Sequence, residues 1–263
     1  MIIRRLAQFT RQHDWSAVVV EIIVVIVGLM LAFQLDRWWE QRGERVQEAE
    51  YVDRLISDIE SDVPDVEYAI SLAEVRLEMA DLLMTVTRDP AAAVAAPIMF
   101  LAAVRQAGFT YTPKLNSHTF EDLRSTGNMR LLLDLEIKDG LYDYYGFEET
   151  QSQFRPIQHT RESRHFELAA GVLSYGQAVF IQDNFFVVKP GSIDSFDGPR
   201  PDLDEVRATA DRLASNSPLI DWLPEVRDLQ VEQIAMHKIG LEKAQTVLQA
   251  MQRYSDSLSG VQQ

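Results

Sequence analysis

Residues 16–35, SAVVVEIIVVIVGLMLAFQL, form an apolar run with one carboxylate, Glu21, inside it. A stretch of about 20 such residues is the length at which a helix crosses the hydrocarbon of a bilayer. In lipid each backbone N–H and C=O has to be satisfied within the spanning structure, so one isolated segment of this kind crosses as an α-helix. A cleavable secretory leader is the first rival, because Arg4 and Arg5 precede the run. Leaders have a shorter apolar core and a small-x-small cleavage site, whereas LAFQLDRWW continues straight into charged sequence. The expectation is a retained anchor over 16–35, with a segment 1–15 on one side and a domain 36–263 on the other.

The flanks agree with that reading. Trp15 stands at one end of the run and Trp38 and Trp39 at the other, as amphipathic rings do at the two interfaces. Arg4, Arg5 and Arg11 precede the run; Arg37, Arg42 and Arg45 follow it but are interleaved with acids. Together with the α-amino group, this places the N-terminus in the cytoplasm and the large domain across the membrane.

Glu21 shares a helical stripe with Ala17, Val24, Gly28, Ala32 and Leu35. Gly28-x-x-x-Ala32 is a small-xxx-small pair, which lets a second helix come close. A carboxyl on the same stripe then faces protein rather than lipid, in contact with a copy of the chain or with another protein's helix. Two other readings stay open: Glu21 solvated near the Trp15 end of the bilayer, or Glu21 as a proton relay.

Beyond the run the formal charge of −15 is concentrated, which disfavours nucleic acid and anionic lipid as partners of the domain. Val52, Ile56, Ile59, Val63, Val66, Ile70, Ala73, Leu77, Ala80 and Met84 repeat in steps of four and three. Such a seam is either a coiled coil between chains or the core face of a helix packed in its own domain. Pro64 interrupts it, by a kink or by opening a new helix. After a break at 87–97, short helices are expected over 98–106 and from Thr119 to a left-handed Gly127. Further helices follow over 129–154, from Pro156 to about Tyr175, over 203–214 and over 219–258. The stretch 183–202, with its prolines and glycines, reads as irregular, with Phe185–Val188 as a short strand or as aromatics tucked against helices. The fold class is therefore all-α: one transmembrane helix continuing into a helical hairpin or bundle, first and last helices antiparallel.

Catalytic patterns are absent from the sequence. There is no Cys, no nucleophile elbow and no phosphate-binding glycine loop. Glu162-x-x-His165, with His159 nearby, has the spacing of a di-iron half-site, yet no second copy exists and His237 lacks an acid three residues before it. No metal, no cofactor and no enzymatic activity is therefore assigned. Tyr142, Tyr144 and Tyr145 are a candidate ligand pocket, against the plainer reading of tyrosines that pack with their hydroxyls at the surface.

The segment Glu21-Ile22-Ile23, Gly28, Ala32, Trp39-Glu40, followed by Glu50-Tyr51-Val52, Leu55, Asp58 and Ile59, resembles the anchor and first helix of a family of bacterial single-pass inner-membrane proteins grouped under a domain of unknown function. A second block, Thr119-Phe120-Glu121-Asp122-Leu123-Arg124-Ser125-Thr126-Gly127 with Tyr144-Tyr145, is similar to a T-[YF]-x-x-L-x-S-x-G motif of the same family. Val20 departs from the glycine usual there. The resemblance implies a bacterial inner-membrane location and a periplasmic domain, and brings no catalytic residues. The function expected is non-enzymatic: self-association or service as an accessory subunit of a membrane complex, through the Glu21, Gly28 and Ala32 stripe and the juxtamembrane Trp38 and Trp39. A periplasmic sensor or ligand-binding module, using the tyrosines and the 183–202 loop, is the alternative. The partners implied are the lipid bilayer and a copy of the chain or another integral membrane protein, not nucleic acid.

Overall fold

The computed structural model describes residues 15–261. The segment 1–14, with Arg4, Arg5 and Arg11 of the assigned cytoplasmic end, lies outside the described residues. Among the described residues the structure is helical with no strand, so the all-α class holds. The chain divides into two units, Met1–Val52 and Asp53–Gln263.

The first helix, α1 (Trp15–Val86), is 72 residues long and begins in the first unit. Its early part is long and apolar enough to cross a membrane, and none of the apolar window is buried. Pro64 lies inside α1 without ending it. The carbonyl that loses its partner there belongs to Glu60, and both residues are exposed.

The second unit adds α2 (Ala91–Ala95), α3 (Pro97–Gln106), α4 (His118–Thr126), α5 (Leu135–Ser152), α6 (Arg155–Ala169), α7 (Tyr175–Asn184), α8 (Leu203–Ala214) and α9 (Ser217–Val261). α9 runs antiparallel to the later part of α1. Four pairs fix the direction: Arg227 with Asp81, Lys238 with Glu74, Gln252 with Glu60 and Ser255 with Asp53. The hairpin expected from the sequence is therefore present. The core at one end joins Met79, Leu83 and Val86 of α1 to Phe100, Leu101 and Val104 of α3, Ile181 of α7, Val206 and Leu213 of α8, and Leu219, Leu223 and Val226 of α9.

The seam of α1 is buried within the chain's own fold, but its face is turned. Leu55, Ile59, Asp62, Val66, Ala69, Ala73, Arg76, Ala80 and Leu83 are among the buried positions. Ile56, Val63, Ile70, Leu77 and Met84, expected on the seam, are only half-buried. The interior position is the residue before the expected one at each of these five steps, and at two of them, Asp62 and Arg76, it is charged. Burial lowers the Arg76 guanidinium to about 10, against the pull of the Glu162 charge.

Two further differences concern the middle of the chain. The helix expected to run to Tyr175 stops at Ala169, and α7 starts afresh behind a capping box in which Ser174 and Gln177 exchange side-chain bonds. Phe185–Val188 forms no strand: Phe185 tucks against Phe180 and Phe196. The Gln106 side chain takes the place of a ladder partner, donating to the Phe185 carbonyl and accepting from the Val188 N–H at 2.9 Å.

Candidate functional site

In the first unit, Glu21, Gly28 and Ala32 are all exposed. A Cβ added at Gly28 meets nothing within 4 Å, so this face of the helix is flat. Trp38 and Trp39 are exposed too, edge to face with centroids 5.2 Å apart. Arg42 sits over the Trp38 ring at 5.6 Å, a cation–π contact on an aromatic pair. The first unit thus presents a bare apolar rod with one carboxylate, then an aromatic and cationic collar.

In the second unit the three tyrosines of α5 take different roles. Tyr144 and Tyr145 are buried and Tyr142 is 50% exposed. The Asp62 carboxylate accepts from the Tyr144 hydroxyl at 3.0 Å and from the Asn116 N–H at 2.8 Å. Tyr145 donates to the Asn116 carbonyl at 2.9 Å, and Asn116 reaches the Ser61 hydroxyl with its own amide. Asp58 accepts from the Thr119 N–H at 3.3 Å. That contact caps α4 from α1, whereas the Ser117 side chain makes no capping bond. Phe120 stacks on Tyr145, with centroids 4.6 Å apart and planes 18° apart.

Asp58, Thr119, Phe120, Tyr144 and Tyr145, which carry the two motifs singled out in the sequence, therefore meet in one place. Their chemistry there is that of a clamp. Burial, followed by the Asp62 charge, pushes both phenols well above their ordinary range, so they stay protonated donors. Desolvation raises Asp62 as well, opposed by its two hydrogen bonds. Acceptor and donors hold the 110–117 segment onto α1 and α5.

That segment separates two cavities. The inner one, about 40 Å³, is lined by Tyr144, Glu148, Arg155, Gln158, Gln233 and His237, among others. His237 is held by the Tyr111 carbonyl at 3.1 Å, and burial lowers its pKa. The outer cavity is an open cleft of about 560 Å³, walled by Phe120, Tyr142 and Tyr145. Thr112, Pro113, Leu115, Glu148 and Arg155 border both. Glu148 and Arg155 pair at 2.9 Å; burial raises Glu148 and the Arg155 charge pulls it back. Tyr142 and Tyr145 thus line one cavity and Tyr144 the other, and no residue of 183–202 borders either. The sequence had grouped that loop with the tyrosines and had passed over Asp62, Glu148 and Arg155. Asp62 carried a legible signal: it falls three residues after Ile59 and four before Val66.

His165 and Glu162 point apart in function. His165 is fully buried and bonds the Val104 carbonyl through Nε2 at 3.1 Å, and burial depresses its pKa to about 4. Glu162 lies 3.5 Å from the exposed His159 and accepts from Thr110. Among the described residues no group of three or more His, Asp or Glu side chains is placed to hold a metal ion. No family model, no curated protein and no solved structure matches this chain.

Proposed function

We propose that the chain is a non-enzymatic, single-pass protein of the bacterial inner membrane, with a cytoplasmic N-terminus and a periplasmic helical domain. Its work is association, with copies of itself or as an accessory subunit of another integral membrane protein. One observation carries this reading: residues 19–35 turn every large apolar side chain outward, with Glu21 alone among them on the flat stripe of Gly28 and Ala32. An outward apolar helix of that length is matched to lipid. A carboxyl within it is costly unless another protein group takes up its polarity, and the small residues give such a group room. The exposed Trp38 and Trp39 then mark the outer interface. The resemblance to the domain-of-unknown-function family supports the same location. Native mass spectrometry of the detergent-extracted protein tests the reading. A discrete oligomer or a co-purifying membrane protein is expected, lost in Gly28→Leu; an assembly that survives that substitution overturns the proposed contact.

A second reading, a ligand-binding module on the same anchor, is favoured by the cleft at Tyr142. Its volume of about 560 Å³ lies within the range of small-molecule sites, and it combines aromatic wall with convergent charge.

A further inference from the structure

The cleft's charges are not evenly committed. Arg124 pairs with Glu121 at 2.9 Å and also lies over the Phe120 ring. Arg155 pairs with Glu148 at 2.9 Å. These two couples cancel and leave Lys114 and Glu149 on the lining, both exposed. Among the described residues neither side chain has an ion-pair partner. The cleft therefore offers one uncommitted cation and one uncommitted anion. The Arg155 side chain, 43% exposed and paired with Glu148, borders both cavities. Tyr142 supplies exposed ring surface, backed by Phe120 at 5.5 Å.

Resting on the reading of this cleft as a ligand site, we infer that it binds a dipolar molecule: a short peptide with free amino and carboxyl ends and an apolar or aromatic side chain. The carboxylate goes to Lys114, the ammonium to Glu149, and the side chain to Tyr142. An inorganic anion fits less well, since Glu121, Glu148 and Glu149 share the lining. A neutral ligand leaves Lys114 and Glu149 unanswered. A single amino acid leaves most of the space to water.

The test is isothermal titration of the full chain in detergent with the dipeptide alanyl-phenylalanine, its N-acetylated and amidated form, and the neutral disaccharide cellobiose. The free dipeptide is expected to bind saturably. Tyr142→Ala should weaken it about tenfold, the scale of one aromatic contact. Lys114→Gln and Glu149→Gln should each weaken it about fivefold, the upper scale of an exposed ion pair. The capped dipeptide should bind at least about tenfold more weakly, having lost both ends. All three substitutions are at exposed residues and leave the clamp intact. If the capped peptide or cellobiose binds as well as the free dipeptide and still needs Tyr142, the dipolar class is wrong and the cleft remains a ligand site. If no probe saturates, or binding ignores Tyr142, the ligand-site reading falls together with the inference.

Discussion

Along α1, residues 19–35 and residues 53–86 invert each other. The first stretch turns Val, Ile, Leu, Met and Phe outward and leaves them bare. The second buries an acid and a guanidinium, Asp62 at 1% and Arg76 at 5% exposure, among its aliphatic residues. The difference lies in what each face meets. On the proposed reading the early stretch meets lipid, which offers no hydrogen bonds, so it is nearly pure hydrocarbon and its one carboxyl stands out. The later stretch meets other helices and a loop that carry donors, so a charged residue there becomes a tie. Asp62 binds α5 through Tyr144 and the loop through Asn116. Apolarity marks the outside of the first stretch, and polarity fixes the register of the inside of the second.

The contrast can be broken at its polar end. Asp62→Ala leaves the buried Tyr144 hydroxyl and the Asn116 N–H without their acceptor. It should destabilise the helical domain by about 4 kcal/mol in urea titration, the scale of breaking a buried charged network. A loss comparable to that of an exposed residue would make Asp62 a passenger.

Acid should probe the same interior. The buried His165 has a folded pKa of about 4 against the usual 6.5. As pH falls below 6.5 the unfolded chain takes up a proton that the folded chain refuses, so stability declines down to about pH 4 and then levels off. The His165 share of that decline is on the order of 3 kcal/mol. His237, lowered in the same direction, adds to it. Asp62 and Glu148 are raised, so their folded forms protonate first and return some stability in acid. His165→Gln should flatten the slope of unfolding free energy between pH 6.5 and 4; an unchanged slope would move the effect elsewhere.

A smaller effect is expected at Gly108, where an added Cβ would lie 2.7 Å from the His165 side chain. Gly108→Ala should cost about 2 kcal/mol through overpacking. By contrast Gly28→Leu, on the bare stretch, should leave the domain's unfolding unchanged and act on assembly alone. Parallel denaturation of the two glycine variants separates the bare stretch of α1 from the packed helical domain.

Much of the architecture was legible from the residues. The 203–214 helix, Gly127 at φ 75° after α4 and the antiparallel pairing of α1 with α9 lie where spacing and capping placed them. Local chemistry sets those features. The spacing of Asp62 was legible but its clamp was not, because its partners lie 54 and 82 residues away in sequence. Of the two readings of Pro64, a kink or a new helix, the new helix does not form, since α1 runs through Pro64. The start of α7 was readable from Ser174 and Gln177, a capping box passed over beside Gly171 and Gly176. Of the cleft, the sequence marked Tyr142 and Tyr145 by type, but Lys114, Glu149 and Arg155 join them only through folding.

The central claim is that the stripe of Glu21, Gly28 and Ala32 faces a protein helix within the bilayer. A photo-cross-linking residue placed at Ala32, and in a second variant at Met30 on the opposite face, tests it most directly in intact membranes. The account predicts a protein adduct of discrete mass from position 32 and only lipid adducts from position 30. Lipid adducts from both positions would contradict it.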